Sequence, residues 1–182
     1  SLNDKNGRDA ASSILTTIRE ENDAQLALVP YYYFTSSIYK GKCTGSRVAL
    51  MTAKSSDTFL YLAKINGKEI YELAEKYLAE SDEKFHITNK YELPIVSGMK
   101  IIVRQEENRF SLKDIEVNKK KIDKDKEYSI LLTETTMSVL KKINPECEIR
   151  QLGNTTLSSA WTVAMANGQQ PSAPEDYIEV EK

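Results

Sequence analysis

Apolar residues recur every three or four positions at the start of the chain and every second position through its middle, and this change of period divides the chain into elements. From Arg8 to Glu21 the apolar positions Ala11, Ile14, Leu15 and Ile18 fall on one helical face, with Asp9 near the start. Asn22-Asp23 closes that helix. Residues 24–29, AQLALV, form a short apolar run of the buried-strand type, and Pro30 stops it because proline has no N–H for a sheet ladder. Tyr31-Tyr32-Tyr33-Phe34 follows, then a polar turn at Thr35-Ser36-Ser37 leading to Ile38-Tyr39, and loops marked by Gly41 and Gly45 around Cys43. Arg47 to Ala53 fits a short helix or a short strand equally. Asp57 to Ile65 predicts a strand with Phe59, Tyr61 and Ala63 on one face, and Asn66-Gly67 is a tight-turn signal. A helix is expected from Lys68 to Ala79, with Ile70, Leu73, Ala74 and Leu78 as its apolar stripe.

Ser81 to Asn89 reads as a polar connection carrying the one histidine, His86. Tyr91 to Glu134 then alternates in short runs, broken at Ser97-Gly98, at residues 105–108 and at Lys119 to Lys126, which predicts consecutive antiparallel strands. A short helix is expected over Thr135 to Lys142, ahead of Pro145. A further helix is expected over Asn154 to Asn167, with Leu157, Trp161 and Ala164 on one face and Gly168 as its C-cap. Tyr177 to Val180 predicts a last strand. Helices flank a block of strands rather than alternating with them, which favours an α+β fold, a layered domain of mainly antiparallel strands packed against helices. Residues 1–7 are polar and expected to be loose, and 8–182 form one domain.

Composition narrows the classes. With 182 residues, 40% of them hydrophobic and 29% charged, the chain can bury a real core and is not of the disordered type. A net charge of -2 argues against a nucleic-acid surface. Cys43 and Cys147 lie far apart in sequence, so one disulfide or two free thiols both fit, and no Cys or Cys/His spacing suggests a metal site. No apolar run is long enough to cross a bilayer and no signal peptide is visible. Ser1 in place of Met suggests a piece of a longer protein.

The order helix, AQLALV, loop, strand with Asn66-Gly67, helix, and then YELPIVSGMKIIV over 91–103 resembles the C-terminal domain of the 5′-nucleotidase family. Residues 18–29, IREENDAQLALV, are similar to that domain's opening helix and the strand after it. Ile95-Val96-Ser97-Gly98-Met99 resembles its Val-Ser-Gly-Leu strand. Residues 117–133, VNKKKIDKDKEYSILLT, resemble it most closely, standing where the family has a Val-Asn-Gly hairpin, an Ile-Asp-Pro turn and a Lys-x-Tyr entering a strand. Residues 167–180 resemble the family's finish, a helix running into Gly, Pro and a last strand. The resemblance covers most of the chain and is weakest over Thr44 to Ser56 and Thr135 to Thr155.

The resemblance implies a division of labour. In that family the C-terminal domain supplies the nucleotide pocket, and a separate N-terminal metallophosphoesterase domain holds two metals and hydrolyses the ester. For this chain it implies a nucleotide or sugar-like small molecule as ligand, a metallophosphoesterase domain in a parent chain as partner, and an extracellular or cell-surface location. The two divalent metals are expected only in that parent domain, and no cofactor in this chain. With one histidine and no DxH, GNH or GHxH cluster, this chain by itself is not expected to be catalytic.

The pocket motifs diverge from the family's. Its Asn-Gly-Gly-Gly-Ile-Arg loop corresponds to Pro30-Tyr31-Tyr32-Tyr33-Phe34-Thr35, which loses glycines that let backbone approach a ligand and replaces the arginine with Thr35. Its Phe-Gly-Asn corresponds to Ser55-Ser56-Asp57, which loses a stacking ring, and residues 134–139, ETTMSV, stand in place of a Gly-Gly-Asp-Gly-Tyr/Phe loop. The positions equivalent to the family's ligand site are Tyr31, Tyr32, Tyr33, Thr35, Arg47 and Asp57. Two readings of the tyrosine run compete. One is an aromatic platform for a base, a sugar ring or a partner surface. The other, which is favoured, is rings packed alternately into the core. Arg47 and Arg104 suit an anionic ligand, but surface salt bridges explain them more simply. Lys119 to Lys126 reads as a solvated hairpin and Trp161 as packing. The expected function is a divergent nucleotide- or substrate-recognition domain of a 5′-nucleotidase-type hydrolase. The alternative is a non-catalytic cell-surface binding or scaffold module that has lost nucleotide binding.

Overall fold

Two sheets, five-stranded and four-stranded, carry the chain in a computed structural model that describes residues 5–34, 50–52, 58–85, 87, 89–107, 109–174 and 178–181. Helix α1 (Lys5–Glu21) opens at Lys5, so residues 5–7, expected to be loose, are helical, and its face of Ala11, Ile14, Leu15 and Ile18 is buried as the spacing requires. Asp23 adopts a positive φ of 52° and turns the chain into β1 (Leu26–Val29). All four β1 residues are fully buried, Leu26 and Leu28 in one core and Ala27 and Val29 in the other. A strand covered on both faces needs an unbroken apolar run, which is why the run shows no alternation.

β2 (Phe59–Asn66) is likewise covered on both sides. Tyr61, Ala63 and Ile65 meet one core and Leu60 and Leu62 the other. The expected tight turn at Asn66-Gly67 is corrected. The chain passes directly into α2 (Gly67–Phe85), with the Asn66 side chain accepting from the Glu69 N–H at 2.9 Å and the Glu69 carboxylate accepting from the Asn66 N–H at 2.9 Å. This is a reciprocal cap, and the Asn-Gly pair serves a helix start rather than a hairpin. Glycine is required at 67 because a Cβ there would lie 2.1 Å from the Asp123 carbonyl oxygen. α2 also runs on to Phe85, through much of the segment read as a polar connection.

The strands between Tyr91 and Glu134 are β3 (Ile95–Ser97), β4 (Lys100–Glu106), β5 (Arg109–Val117), β6 (Lys120–Lys121) and β7 (Glu127–Thr133). They are not one consecutive antiparallel block. β3 and β7 flank β1 in the larger sheet, while β4 to β6 belong to the smaller one. α3 (Glu134–Ile143), β8 (Ile149–Thr156), α4 (Leu157–Ala166) and β9 (Ile178–Glu181) complete the chain.

The larger sheet has the order β3-β1-β7-β2-β8 and the smaller β6-β5-β4-β9. Among the described residues, five of the seven strand pairings are antiparallel, and β1 with β7 and β4 with β9 are parallel. One core lies between the larger sheet, α2, α3 and the smaller sheet. The other lies between the opposite face of the larger sheet and α1 with α4, where Trp161 is fully buried, as its helical spacing suggested. The layered α+β expectation holds. β8 was not anticipated, and residues 154–156, expected to be helical, are its end. None of its residues is buried and they show no two-residue alternation, so its pairing to β2, with a register shift between Phe59 and Tyr61, is what makes it a strand. Thr156 then caps α4 in a reciprocal box with Ser159.

Candidate functional site

β1 and β7 run parallel and side by side, with Leu28 opposite Leu132, so the segments that follow them emerge at the same end of the sheet. In sheets with parallel strands that end is where loops converge to form ligand clefts. After β1, buried Pro30 redirects the chain into a single 3-10 turn, Tyr31–Tyr33, closed by the Phe34 N–H donating to the Tyr31 carbonyl at 3.1 Å. Phe34 is buried and pins the turn to the core. After β7, buried Thr133 starts α3, its N–H donating to the Thr136 hydroxyl oxygen at 3.0 Å.

The two segments are tied together by the Tyr33 hydroxyl and Thr135 Oγ1, 2.8 Å apart and 102 residues apart in sequence. The rings of Tyr31 and Tyr32 stand edge to face at 5.7 Å and 76°, and those of Tyr32 and Tyr33 at 4.8 Å and 57°. These separations are those of favourable aromatic pairs. All three rings are half-buried, and Tyr31 and Tyr33 pack against the core while their turn keeps part of each ring open. The tyrosines therefore form a turn rather than a strand that sends alternate rings inward.

A second wall comes from residues 89–94. Lys90–Glu92 is another 3-10 turn, capped by Asn89, whose side chain accepts from the Tyr91 N–H at 3.0 Å. Arg8 of α1, 1% exposed, holds this segment by donating to the carbonyls of Tyr91 at 3.1 Å, Leu93 at 2.5 Å and Pro94. Glu92 lies close enough to Tyr31 to add to the effect of burial, which is the larger cause, in raising that hydroxyl's pKa above 10.0. Burial raises Tyr32 as well, against an opposing hydrogen bond with Thr135. Buried Tyr77 of α2 backs the cluster, and its pKa is pushed well above 10.0 by burial, with its bond to Ser81 acting the other way. Tyr31, Tyr32 and Tyr77 are thus held neutral at physiological pH. The cluster offers ring faces and O–H groups suited to stacking and hydrogen bonding. Among the described residues, no group of three or more His, Cys, Asp or Glu could hold a metal ion.

The family model for the 5′-nucleotidase, C-terminal domain matches residues 5–139. The chain belongs to that family. Solved structures of the same fold include a 5′-nucleotidase precursor from Thermus thermophilus, 16% identical, covering 99% of this chain and 37% of that one with a TM-score of 0.73. The Haemophilus influenzae NAD nucleotidase NadN is 15% identical over 93% of this chain and 33% of that one, with a TM-score of 0.65. The Thermus thermophilus sulfate thiohydrolase SoxB is 14% identical over 93% of this chain and 31% of that one, with a TM-score of 0.61. At these identities the likeness establishes the fold alone. The chain spans about a third of the length of these structures. The different activities named for them show that the fold does not dictate the chemistry. No curated protein matches the sequence.

Of the positions equivalent to the 5′-nucleotidase family's ligand site, Tyr31, Tyr32 and Tyr33 stand together at the C-terminal ends of β1 and β7. Thr35, Arg47 and Asp57 lie outside the described residues, as do Cys43 and His86. Arg104 is exposed on β4 of the other sheet, in register with Ser111 and Glu181. Cys147 is a buried free thiol. Sequence reasoning missed Thr135, Tyr77 and Glu92. The Thr133-x-x-Thr136 spacing at the end of an apolar run is the signal that could have marked a helix start beside the turn. Among the described residues no helix is long and apolar enough to cross a membrane.

Proposed function

We propose that this domain recognises a small ring-bearing ligand, a nucleotide or sugar-like molecule, on behalf of the metallophosphoesterase domain of a 5′-nucleotidase-type parent at or outside the cell surface. The observation that carries the reading is the tyrosine turn: three half-open rings anchored where the parallel strands β1 and β7 both end. Stacking on such rings supplies affinity without a fixed charge, which suits a site that has lost the family's arginine. Catalysis, and the two divalent metals it would use, belongs in this reading to the parent domain.

Calorimetric titration with adenosine, AMP and UDP-sugars tests the proposal. Saturable binding is expected, with Tyr32→Ala abolishing it while leaving the melting temperature close to that of the parent sequence. Tyr32 is the right probe because Tyr31 and Tyr33 pack against the core and Tyr32 does not belong to that set. Silence at millimolar concentrations of every ligand would sink the reading.

One observation favours a second reading, a non-catalytic surface module without nucleotide binding. The rings lean on each other and the Tyr32 and Tyr33 hydroxyls are already engaged with Thr135, so the turn can be explained as self-supporting packing. A parent gene with an upstream DxH, GNHD and GHxH array favours the hydrolase; its absence favours the module.

A further inference from the structure

At the N-terminal ends of the same two strands the sheet opens into a cleft of about 680 Å³. Gln25, just before β1, and Lys126 and Tyr128, at the start of β7, line it, together with residues of the β5–β6 hairpin. About six residues of extended chain, or roughly 20 Å, separate Gln25 from the tyrosine turn. The lining carries four cations, Arg19, Lys120, Lys121 and Lys126, against one carboxylate, Asp123. This local excess stands out in a chain whose net charge is -2.

The four cations differ in how they are committed. Arg19 is the fixed floor. Its Nε donates to Ser97 Oγ at 2.8 Å and one Nη to the Ala24 carbonyl at 3.1 Å, so its plane is set before any ligand arrives, and Glu20 lies 3.3 Å from its other Nη. Lys121 is paired with Asp114 at 2.7 Å. Lys120 and Lys126 pair with no carboxylate among the described residues, and the Lys126 ammonium lies 5.3 Å from the centre of the Tyr128 ring, within cation–π range. Asp123 is partly engaged, accepting the Asp125 N–H at 3.1 Å. The cleft is several times larger than a single phosphate needs, and its uncommitted ammonium groups come from two different segments. A chain of linked phosphates suits that volume and offers each lysine an anionic group of its own.

We propose that this cleft binds a linear oligophosphate, with Lys120 and Lys126 as the groups that grip it and Arg19 as the oriented base of the site. It is independent of the tyrosine turn and shares none of its residues.

The test is titration calorimetry of the 182-residue chain with sodium tripolyphosphate, alongside inorganic phosphate and ATP. Saturable binding of tripolyphosphate is expected, weakened by raised salt because the groups are exposed. Orthophosphate should bind at least about ten-fold more weakly, and Lys120→Gln with Lys126→Gln should lower tripolyphosphate affinity by about ten-fold or more, since charge-assisted hydrogen bonds are lost. Both lysines are exposed, so the double variant should keep its melting temperature, and Tyr32→Ala should leave tripolyphosphate binding unchanged. Measured in Tyr32→Ala, where the tyrosine turn is silent, ATP binding equal to tripolyphosphate assigns the cleft to the phosphate chain alone, and tighter ATP binding assigns it to a nucleoside triphosphate. Undiminished binding by the double variant, equal affinity for orthophosphate, or no binding at millimolar tripolyphosphate would overturn the proposal.

Discussion

The two ends of the β1–β7 pair are only a strand's length apart, yet they are built from opposite chemistry. At the C-terminal end three tyrosines, Thr135 and the 89–94 segment close over one another. At the N-terminal end lysines and an arginine surround open space. α1 spans both, with Arg8 over the first and Arg19 over the second, eleven residues or about 16 Å apart along the helix. Arg8 is sealed from solvent and donates to three carbonyls, whereas the Arg19 side chain keeps 13% exposure and has the exposed Glu20 among its partners. The same residue type on the same helix face is therefore structural glue at one end and a positioned charge at the other. The difference lies in desolvation, which makes an unmet polar group costly only where water cannot replace its partner.

The largest expected effect tests that contrast directly. Arg8→Met should cost about 4 kcal/mol of stability and Arg19→Met about 1 kcal/mol, read from urea unfolding midpoints. Equal costs would break the comparison. Gly98→Ala, at the open end, should cost about 3 kcal/mol in the same assay. Gly98 has a φ of +73° and a Cβ there would lie 2.0 Å from the Gln25 carbonyl oxygen, so backbone has to move.

The closed end should also show itself in alkaline solution. Burial raises the pKa of Tyr77, Tyr31 and Tyr32 above the ordinary 10.0. Above pH 10 the unfolded chain therefore binds fewer protons at these groups than the folded one, and stability falls. Their contribution is fully present below pH 10 and is lost as pH rises toward the folded values. Unfolding midpoints should be flat between pH 7 and 9 with respect to these groups and drop beyond 10, and Tyr77→Phe should make the drop shallower. A drop of undiminished steepness in that variant would remove Tyr77 from the account.

Smaller effects sharpen the picture. Tyr33→Phe should lose about 1 kcal/mol, the worth of a half-buried hydroxyl bond to Thr135, by thermal or urea unfolding. Lys119→Gly should gain about 0.5 to 1 kcal/mol, because Asn118 and Lys119 sit at φ of 54° and 62° in the two-residue β5–β6 turn, a conformation that glycine adopts without strain. An unchanged or lowered midpoint would mean that contacts of the Lys119 side chain offset the strain of its backbone.

Much of this was legible in the chain and some of it was not. Local signals were reliable for α1, α4 and β1, because the period of buried residues and the stops at Asn22-Asp23, Pro30 and Gly168 are properties of a few neighbouring residues. The correspondence of residues 30–35 to the family's ligand loop rests on order and spacing alone, and Thr35 lies outside the described residues. Asn66-Gly67 misled because the same dipeptide suits a hairpin or a helix start, and only Glu69 reaching back decides between them. β8 was illegible because an exposed edge strand without alternation has no local cause.

The sequence by itself determined where the helices turn their apolar faces, that β1 is a buried strand, and the family. Those are short-range consequences of burial and of backbone chemistry. Only the tertiary structure decided that β3 and β7 leave the strands between them for another sheet, that Tyr33 meets Thr135, and that Arg19 shares a cleft with Lys120 and Lys126. Each of these brings together residues far apart in the chain. Which of them meet depends on how two layers pack over a common core, a global free energy that no local pattern encodes.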